Sequence, residues 1–341
     1  MLAFQNDYSE GAAPQIIEAL AKTNLESLPG YGSDDYCELA QNKIKEVMGN
    51  PEADIFFLVG GTQTNAIAID AFLQTYQAVI SADSGHINIH EAGAIEAGGH
   101  KVIALKANNG KLDPAVLKEY LIAFYQDDNH PHMAQPGMIY ISQPTELGTL
   151  YSKSELQTLH KISLEYHLPL YVDGARLGYG LSSPQNEVTL KDLNELTDAF
   201  YIGGTKVGAL CGEALVFTHH NQPASFLTLV KQHGGLLAKG RLLGIQFLTL
   251  FTDDLYFKLS DNAIKMAMVI KEGLKKKGYR FFIDSPTNQQ FIIIENKQYQ
   301  VLKDKVRLSY WEKFDEDHTV IRICTSWATT AENVEELLRI L

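Results

Sequence analysis

The chain reads as an α/β protein in which a mainly parallel, seven-stranded sheet carries helices on both faces, followed by a smaller α+β domain. Three observations predict this. Between about residues 53 and 217, short apolar runs alternate with helix-like stretches, the pattern of a parallel sheet covered on both sides. Beyond about 255 to 280 the order changes to strands flanked by helices. No internal repeat or low-complexity linker intervenes, so two closely packed domains are expected: 1–255, an N-terminal segment with the large domain, and 256–341, the small one.

The strands of the large sheet are expected at Ile55–Val59, Ala78–Ala82, Lys101–Leu105, Met138–Ser142, Leu168–Asp173, Ala199–Ile202 and Ala214–Phe217. Helices fill the spaces between them. In Ser154–Tyr166, Leu156, Leu159, Ile162 and Leu164 mark an apolar face, and Ser152 or Ser154 can cap the start. Residues 223–278 read as mostly helical, with Lys239–Phe257 as one long helix. Arg280–Ile283, Gln290–Glu295 and Thr319–Cys324 look like strands of the small domain, which ends in the helix Ala331–Leu341.

Bulk properties narrow the function. The 341 residues are 45% hydrophobic and 21% charged, ordinary globular material. Net charge is -12, from 41 acidic against 29 basic residues, with no block of five like charges. Nucleic acid and anionic membrane surfaces are therefore not expected partners. Cys37, Cys211 and Cys324 form no C-x-x-C and stand far apart, which fits a reducing, cytoplasmic setting. MLAFQNDYSEGAAPQ lacks the basic and apolar regions of a signal peptide, and no long apolar run suggests a membrane span.

Three stretches carry chemistry. In residues 53–73 an apolar strand runs into Gly60-Gly61-Thr62-Gln63-Thr64-Asn65 and then a helix, a geometry that suits a phosphate, although strand-Gly-Gly-helix is common without one. It is neither a Walker A loop nor G-x-G-x-x-G. In LPLYVDGARLGYG, Asp173 ends an apolar strand at the sheet edge where α/β proteins bind ligands. The same carboxylate could instead cap the next helix or pair with Arg176. In DAFYIGGTKVGALCGEALV, Lys206 follows a strand and a Gly-Gly turn among small apolar residues, where partial desolvation would lower its pKa and make it an amine nucleophile. A lysine beside glycine is otherwise simply solvated.

Together the three supply what pyridoxal phosphate chemistry needs: donors for a phosphate, a carboxylate for the ring nitrogen, and an amine for the aldehyde. The segments NDYSEGAAP, GGTQTN, SGHINIHEAGAIEAGGHK, DGARLG, GGTKVGALCGEA and ICTSWAT, running from Asn6 to Ala328, resemble the low-specificity threonine aldolase and β-eliminating lyase family of fold-type-I pyridoxal-phosphate enzymes. The resemblance implies that Lys206 bonds the cofactor and that Asp173 faces its ring nitrogen. It further implies that Gly61, Thr62 and Gln63 hold the phosphate, that Thr205 also binds the cofactor, and that His86 stacks on the ring and takes part in proton transfer. Arg322 would bind the substrate carboxylate, with Arg176 near the ring oxygen and the carboxylate. Tyr31, Lys239 and Arg241 would reach the phosphate of a neighbouring subunit, which implies a homodimer or homotetramer with active sites at the interface.

No metal is expected: His86 and His90 are spaced to face one way on a helix beside Glu91, but the H-E-x-x-H order is missing. His130 and His132 read as a surface loop without a role. The chain departs from better-known threonine aldolases at Asn6, where they carry serine, and at Glu146 in QPTELG, where they carry histidine. Both positions would lie near the substrate's β-hydroxyl, with Glu146 able to act as a base. The expected reaction is cleavage of a β-hydroxy-α-amino acid (threonine, allo-threonine or a phenylserine-like compound) to glycine and an aldehyde. β-Elimination or transamination is the nearest rival, and a non-catalytic phosphate-ligand protein the remote one.

Overall fold

The computed structural model describes residues 1–341. Thirteen strands occur in chain order: β1 (Leu2–Ala3), β2 (Asp54–Leu58), β3 (Gln77–Ala82), β4 (Lys101–Leu105), β5 (Gln135–Ser142), β6 (Leu170–Asp173), β7 (Ala199–Gly203), β8 (Glu213–Phe217), β9 (Arg280–Ile283), β10 (Gln289–Glu295), β11 (Val306–Arg307), β12 (Ser309–Lys313) and β13 (His318–Cys324). The large sheet has seven strands in the order β2-β8-β7-β6-β5-β3-β4. Its pairs are parallel except those of β8, which runs against both β2 and β7. Every residue of β7 and β8 is buried, which is why both read as unbroken apolar runs and not as alternating ones. Along β7, Phe200 and Ile202 pack into one covering layer while Ala199 and Tyr201 pack into the other.

This topology brings scattered residues to one edge. The strand ends at Leu58, Ala82, Ser142, Asp173 and Gly203 open there, because β2, β3, β5, β6 and β7 run the same way. Since β8 is reversed, its first residue, Glu213, lies there too, opposite both Leu58 and Gly203. The turns at this edge are tight. A Cβ on Gly174 would meet the Tyr201 carbonyl oxygen at 1.8 Å, and one on Gly203 would meet that of Ala175 at 2.4 Å. Glycine is required there for close backbone approach and not for an unusual φ.

The small sheet is antiparallel, ordered β12-β13-β10-β9. Ile292, Ile294, Ile321 and Ile323 pack on the helices Leu255–Lys276 and Ala331–Ile340, while Phe291, Ile293 and Val320 face the other way, toward Trp311 and Leu147. The chain's first residues join this layer: β1 pairs with β11, Phe4 N–H donates to the Arg307 carbonyl at 2.9 Å, and Cys324 N–H donates to that of Phe4 at 2.8 Å. The sequence grouped these residues with the large domain, since a two-residue strand has no periodicity to read.

Three local expectations change. The long helix at Lys239–Phe257 is broken into Arg241–Leu250 and the start of Leu255–Lys276, because Asp253 and Asp254 take left-handed conformations (φ 51° and 57°) that aspartate tolerates better than most residues. β12 was not anticipated, since SYWEK carries two charges and lies at the sheet's edge. In Lys153–Tyr166, Ser152 is the cap and forms a reciprocal box with Glu155, while Leu164 of the expected apolar face is 62% exposed.

Candidate active site

Asp173, 4% exposed, ends β6 under four donors. Tyr201 OH (2.6 Å) and Ala175 N–H (2.9 Å) donate to Oδ1, and Tyr140 OH (2.7 Å) and the Asn65 side-chain amide (2.9 Å) to Oδ2. Burial alone would raise its pKa, but the charge of His86 and the Tyr201, Tyr140 and Asn65 hydrogen bonds outweigh it and hold the carboxyl below its usual range. Burial and the neighbouring Asp173 charge push both tyrosine hydroxyls well above theirs, so they remain donors. Asp173 is an anion.

Lys206 lies in the connection between β7 and β8 and opens into a cavity of about 460 Å³. Burial and the nearby Arg176 charge depress its pKa, against the pull of Asp7, Asp173 and Glu213. A depressed lysine is more often the free amine that a carbonyl carbon requires. The same cavity is lined by His86, Glu146, Arg176 and Arg322, and by Tyr8, His90 and Trp311.

Glu146 is buried, and its Oε1 accepts from His86 N–H (2.9 Å) and Ser142 Oγ (2.7 Å). Oε2 has no donor. Burial raises its pKa, reinforced by the Asp173 charge and opposed by the Ser142 hydrogen bond and His86. The His86 Nδ1 is 2.7 Å from Glu91 Oε1, which also accepts from Asn65 at 2.7 Å. As a carboxylate, Glu91 accepts from Nδ1–H and leaves Nε2 as the open nitrogen. The Asn65 amide thus gives one hydrogen to Glu91 and one to Asp173. His86, Glu91 and Asp173 also place ligand-type atoms within 4.8 Å of one another, and the hydrogen bonds through Asn65 tie the three into one network. His90, considered with His86 and Glu91 on sequence grounds, is not part of that cluster.

Arg176 is held by Asp7, Nε to Oδ2 at 2.6 Å and Nη2 to Oδ1 at 3.0 Å, and Asn288 donates to the same carboxylate at 2.9 Å. Asp7 is fully buried; burial would raise its pKa, but Arg176, Lys206 and the two hydrogen-bond partners bring it to about 2. Arg322 donates from Nη1 to Gln289 Oε1 (3.0 Å) and from Nη2 to the Gln5 carbonyl (3.2 Å), while its buried Nε–H has no acceptor.

The GGTQTN turn opens the helix Gly61–Phe72, and the amides of Gly61, Thr62 and Gln63 find no acceptor within the chain. Thr62 is the free hydroxyl, since Thr64 bonds back to the Gly60 carbonyl at 3.0 Å. The Gln63 side chain is spent on Val59 N–H and the His233 carbonyl, while the Thr205 hydroxyl accepts from Gly212 N–H at 3.0 Å and keeps its own hydrogen for a further acceptor. The Asn6 side chain turns into its own loop, accepting from Tyr8 N–H and Ser9 Oγ, and Tyr8 lines the cavity in its place. Tyr31, Lys239 and Arg241 lie away from the cavity. Tyr31 is 53% exposed, and Arg241 donates to the carbonyls of Glu26 and Thr23.

A pyridoxal phosphate molecule fits this donor set: an amine with lowered basicity, a buried anion on the same sheet edge, unclaimed amides at a helix start, and an imidazole on the cavity wall. Sequence reasoning missed Asp7, Tyr140, Tyr201 and Trp311. A tyrosine in an apolar strand looks like core, and Asp7 gains meaning only when a residue 169 positions away meets it.

The beta-eliminating lyase family description matches residues 4–297. The low specificity L-threonine aldolase of Pseudomonas aeruginosa is 28% identical over 342 residues, covering 98% of this chain and 96% of that protein. That of Saccharomyces cerevisiae is 27% identical over 271 residues, 78% of this chain and 67% of that one. Among solved structures, the Leishmania major threonine aldolase superimposes with a TM-score of 0.96 at 41% identity, covering 100% of this chain and 98% of its own. The histidinol-phosphate aminotransferase of Clostridium acetobutylicum, at 14% identity and a TM-score of 0.75 over 100% of this chain and 98% of its own, shares the fold.

Proposed function

Since the chain belongs to the beta-eliminating lyase family, whose members depend in general on pyridoxal phosphate, we propose that it binds pyridoxal 5'-phosphate through Lys206 and cleaves threonine-type β-hydroxy-α-amino acids to glycine and an aldehyde. The observation that carries this reading is the meeting of Lys206, Glu146 and Arg322 in one cavity, with anionic Asp173 buried behind its His86 wall. The aldolases of Pseudomonas and Leishmania support it. When bound, the cofactor supplies an electron sink for the charge released as Cα–Cβ breaks.

The chain's own residues do the rest. Asp173 would offer its negative charge to the ring nitrogen, and the free amides of Gly61, Thr62 and Gln63 at a positive helix end would hold the phosphate. Arg322 offers its unpaired Nε–H to the substrate carboxylate. Glu146 takes the β-hydroxyl proton on Oε2, with Oε1 anchored by His86 N–H and Ser142; its raised pKa lets it hold that proton. His86, fixed by Glu91, presents Nε2 on the cavity wall, where it would stack on the cofactor ring.

Three unpaired cysteines support a reducing, cytoplasmic location. No helix is long and apolar enough to cross a membrane. Exposed Tyr31 and Lys239 would complete the phosphate site of a second copy in a homodimer or homotetramer.

The deciding experiment treats the pure protein with pyridoxal phosphate and borohydride, maps the reduced adduct by mass spectrometry, and assays products from L-threonine and phenylserine. An adduct on Lys206 together with glycine and an aldehyde is expected, and Lys206→Ala should abolish both. Ammonia and a keto acid would replace the aldolase reading with elimination, and near-normal turnover by Lys206→Ala would remove the lysine assignment.

A further inference from the structure

Arg322 is the cation of the small sheet that faces the cavity, and what holds its plane is a neighbour on β12. In the pairing of β12 with β13, Ser309 lies opposite Arg322, Tyr310 opposite Ile321 and Glu312 opposite Val320. Trp311 is the extra residue, so the strand bulges at it. A bulge turns a side chain off the direction that regular alternation would give it. Here the indole comes to rest with its ring centroid 5.4 Å from the Arg322 guanidinium carbon. Phe291, fully buried and the register partner of Arg322 on β10, braces the indole edge-on at 4.9 Å and 76°. On its other side Trp311 meets His90 at 6.3 Å, and His90 meets His86 at 5.6 Å. A chain of rings therefore runs from the imidazole on the large-sheet wall to the guanidinium on the small-sheet wall.

We infer that Trp311 is a positioning residue that holds the Arg322 guanidinium in the orientation in which it meets the carboxylate of the amino-acid substrate. The inference rests on the aldolase reading above for the nature of that substrate. Three attachments define the guanidinium plane: Gln289 Oε1 at Nη1, the Gln5 carbonyl at Nη2, and the indole face. The first two fix two corners and leave rotation about the line joining them; the indole, 5.4 Å away, restricts it. The Nε–H is buried without an acceptor in the chain, a costly arrangement that a bound carboxylate relieves. An unbulged strand would give Trp311 the ordinary outward or inward direction of its register and leave Arg322 free to turn.

The test measures binding of glycine and of ethanolamine to the holoenzyme by calorimetry. Both present the same amine, and only glycine carries a carboxylate. Trp311→Leu should weaken glycine about tenfold, the scale of a lost desolvated cation–π contact, and leave ethanolamine within about twofold. KM for L-threonine should rise by a similar factor while kcat changes little, and Trp311→Phe should recover most of the loss. In an Arg322→Lys background, Trp311→Leu should add nothing further. If Trp311→Leu does not fold, Trp311→Phe alone still decides, with a partial loss confined to glycine. Equal weakening of both amines, or of neither, would overturn the inference. A wild-type enzyme that neither binds glycine nor cleaves threonine would instead overturn the functional reading beneath it.

Discussion

Glu146 joins burial to an open carboxylate oxygen, and its neighbours predict how it titrates. The ionised form is the one that accepts the β-hydroxyl proton, and burial raises the pKa. Activity should therefore fall on acidification at a higher pH than an exposed glutamate would give. Glu146→Gln should lower kcat by about 10²–10⁴-fold and erase that acid limb, read from kcat/KM against pH. Asp7 titrates in the opposite sense. Its folded pKa of about 2 lies below the ordinary 3.8, so its contribution to stability is fully present above 3.8 and is lost as pH falls toward 2. The contribution is on the order of 2 kcal/mol. Asp7→Asn should lose it at neutral pH and flatten the acid side of the urea midpoint plotted against pH. The same substitution leaves the Arg176 charge unpaired beside Lys206.

Elements show what a sequence can and cannot disclose. β6 and β7 were legible because each is an apolar run closed by a chemical signature, DGAR or GGTK, and contiguity carries both the strand and its function. β12 was illegible: its value lies in a one-residue bulge that exists only relative to β13. The helix after Ser152 was readable to its cap, because a capping box is a local pattern. Ser152→Ala should lower unfolding free energy by about 1 kcal/mol with kcat unchanged, checked by denaturant titration beside an activity assay. Gly174 belongs at this scale as well. A methyl group there would strike the Tyr201 carbonyl, so Gly174→Ala should push β6 and β7 apart and displace Asp173 from Tyr201. The expected result is an insoluble protein or one that no longer forms the Lys206 adduct.

At the scale of the whole molecule, the readable cavity residues were Lys206, Glu146, His86 and Arg176 near the large sheet's edge and Arg322 on the small sheet; the partners that hold the two arginines were not readable. The rest arrives from far along the chain. Asn65 meets Asp173 across 108 positions, and Arg322 meets the Gln5 carbonyl across 317. No local pattern encodes such pairs, because the fold and not the neighbourhood selects the partner. The threading of the N-terminal segment between the two layers also has a consequence for how the protein is made. Phe4 and Asp7 leave the ribosome long before Asn288, Arg307 and Cys324, which receive them. The large sheet can assemble during synthesis, but Asn288, which anchors the Asp7 that holds Arg176, and Arg322 itself come only after most of the chain has emerged. A nascent chain stalled before residue 288 should hold a folded sheet and no working site, so activity begins as a post-translational event.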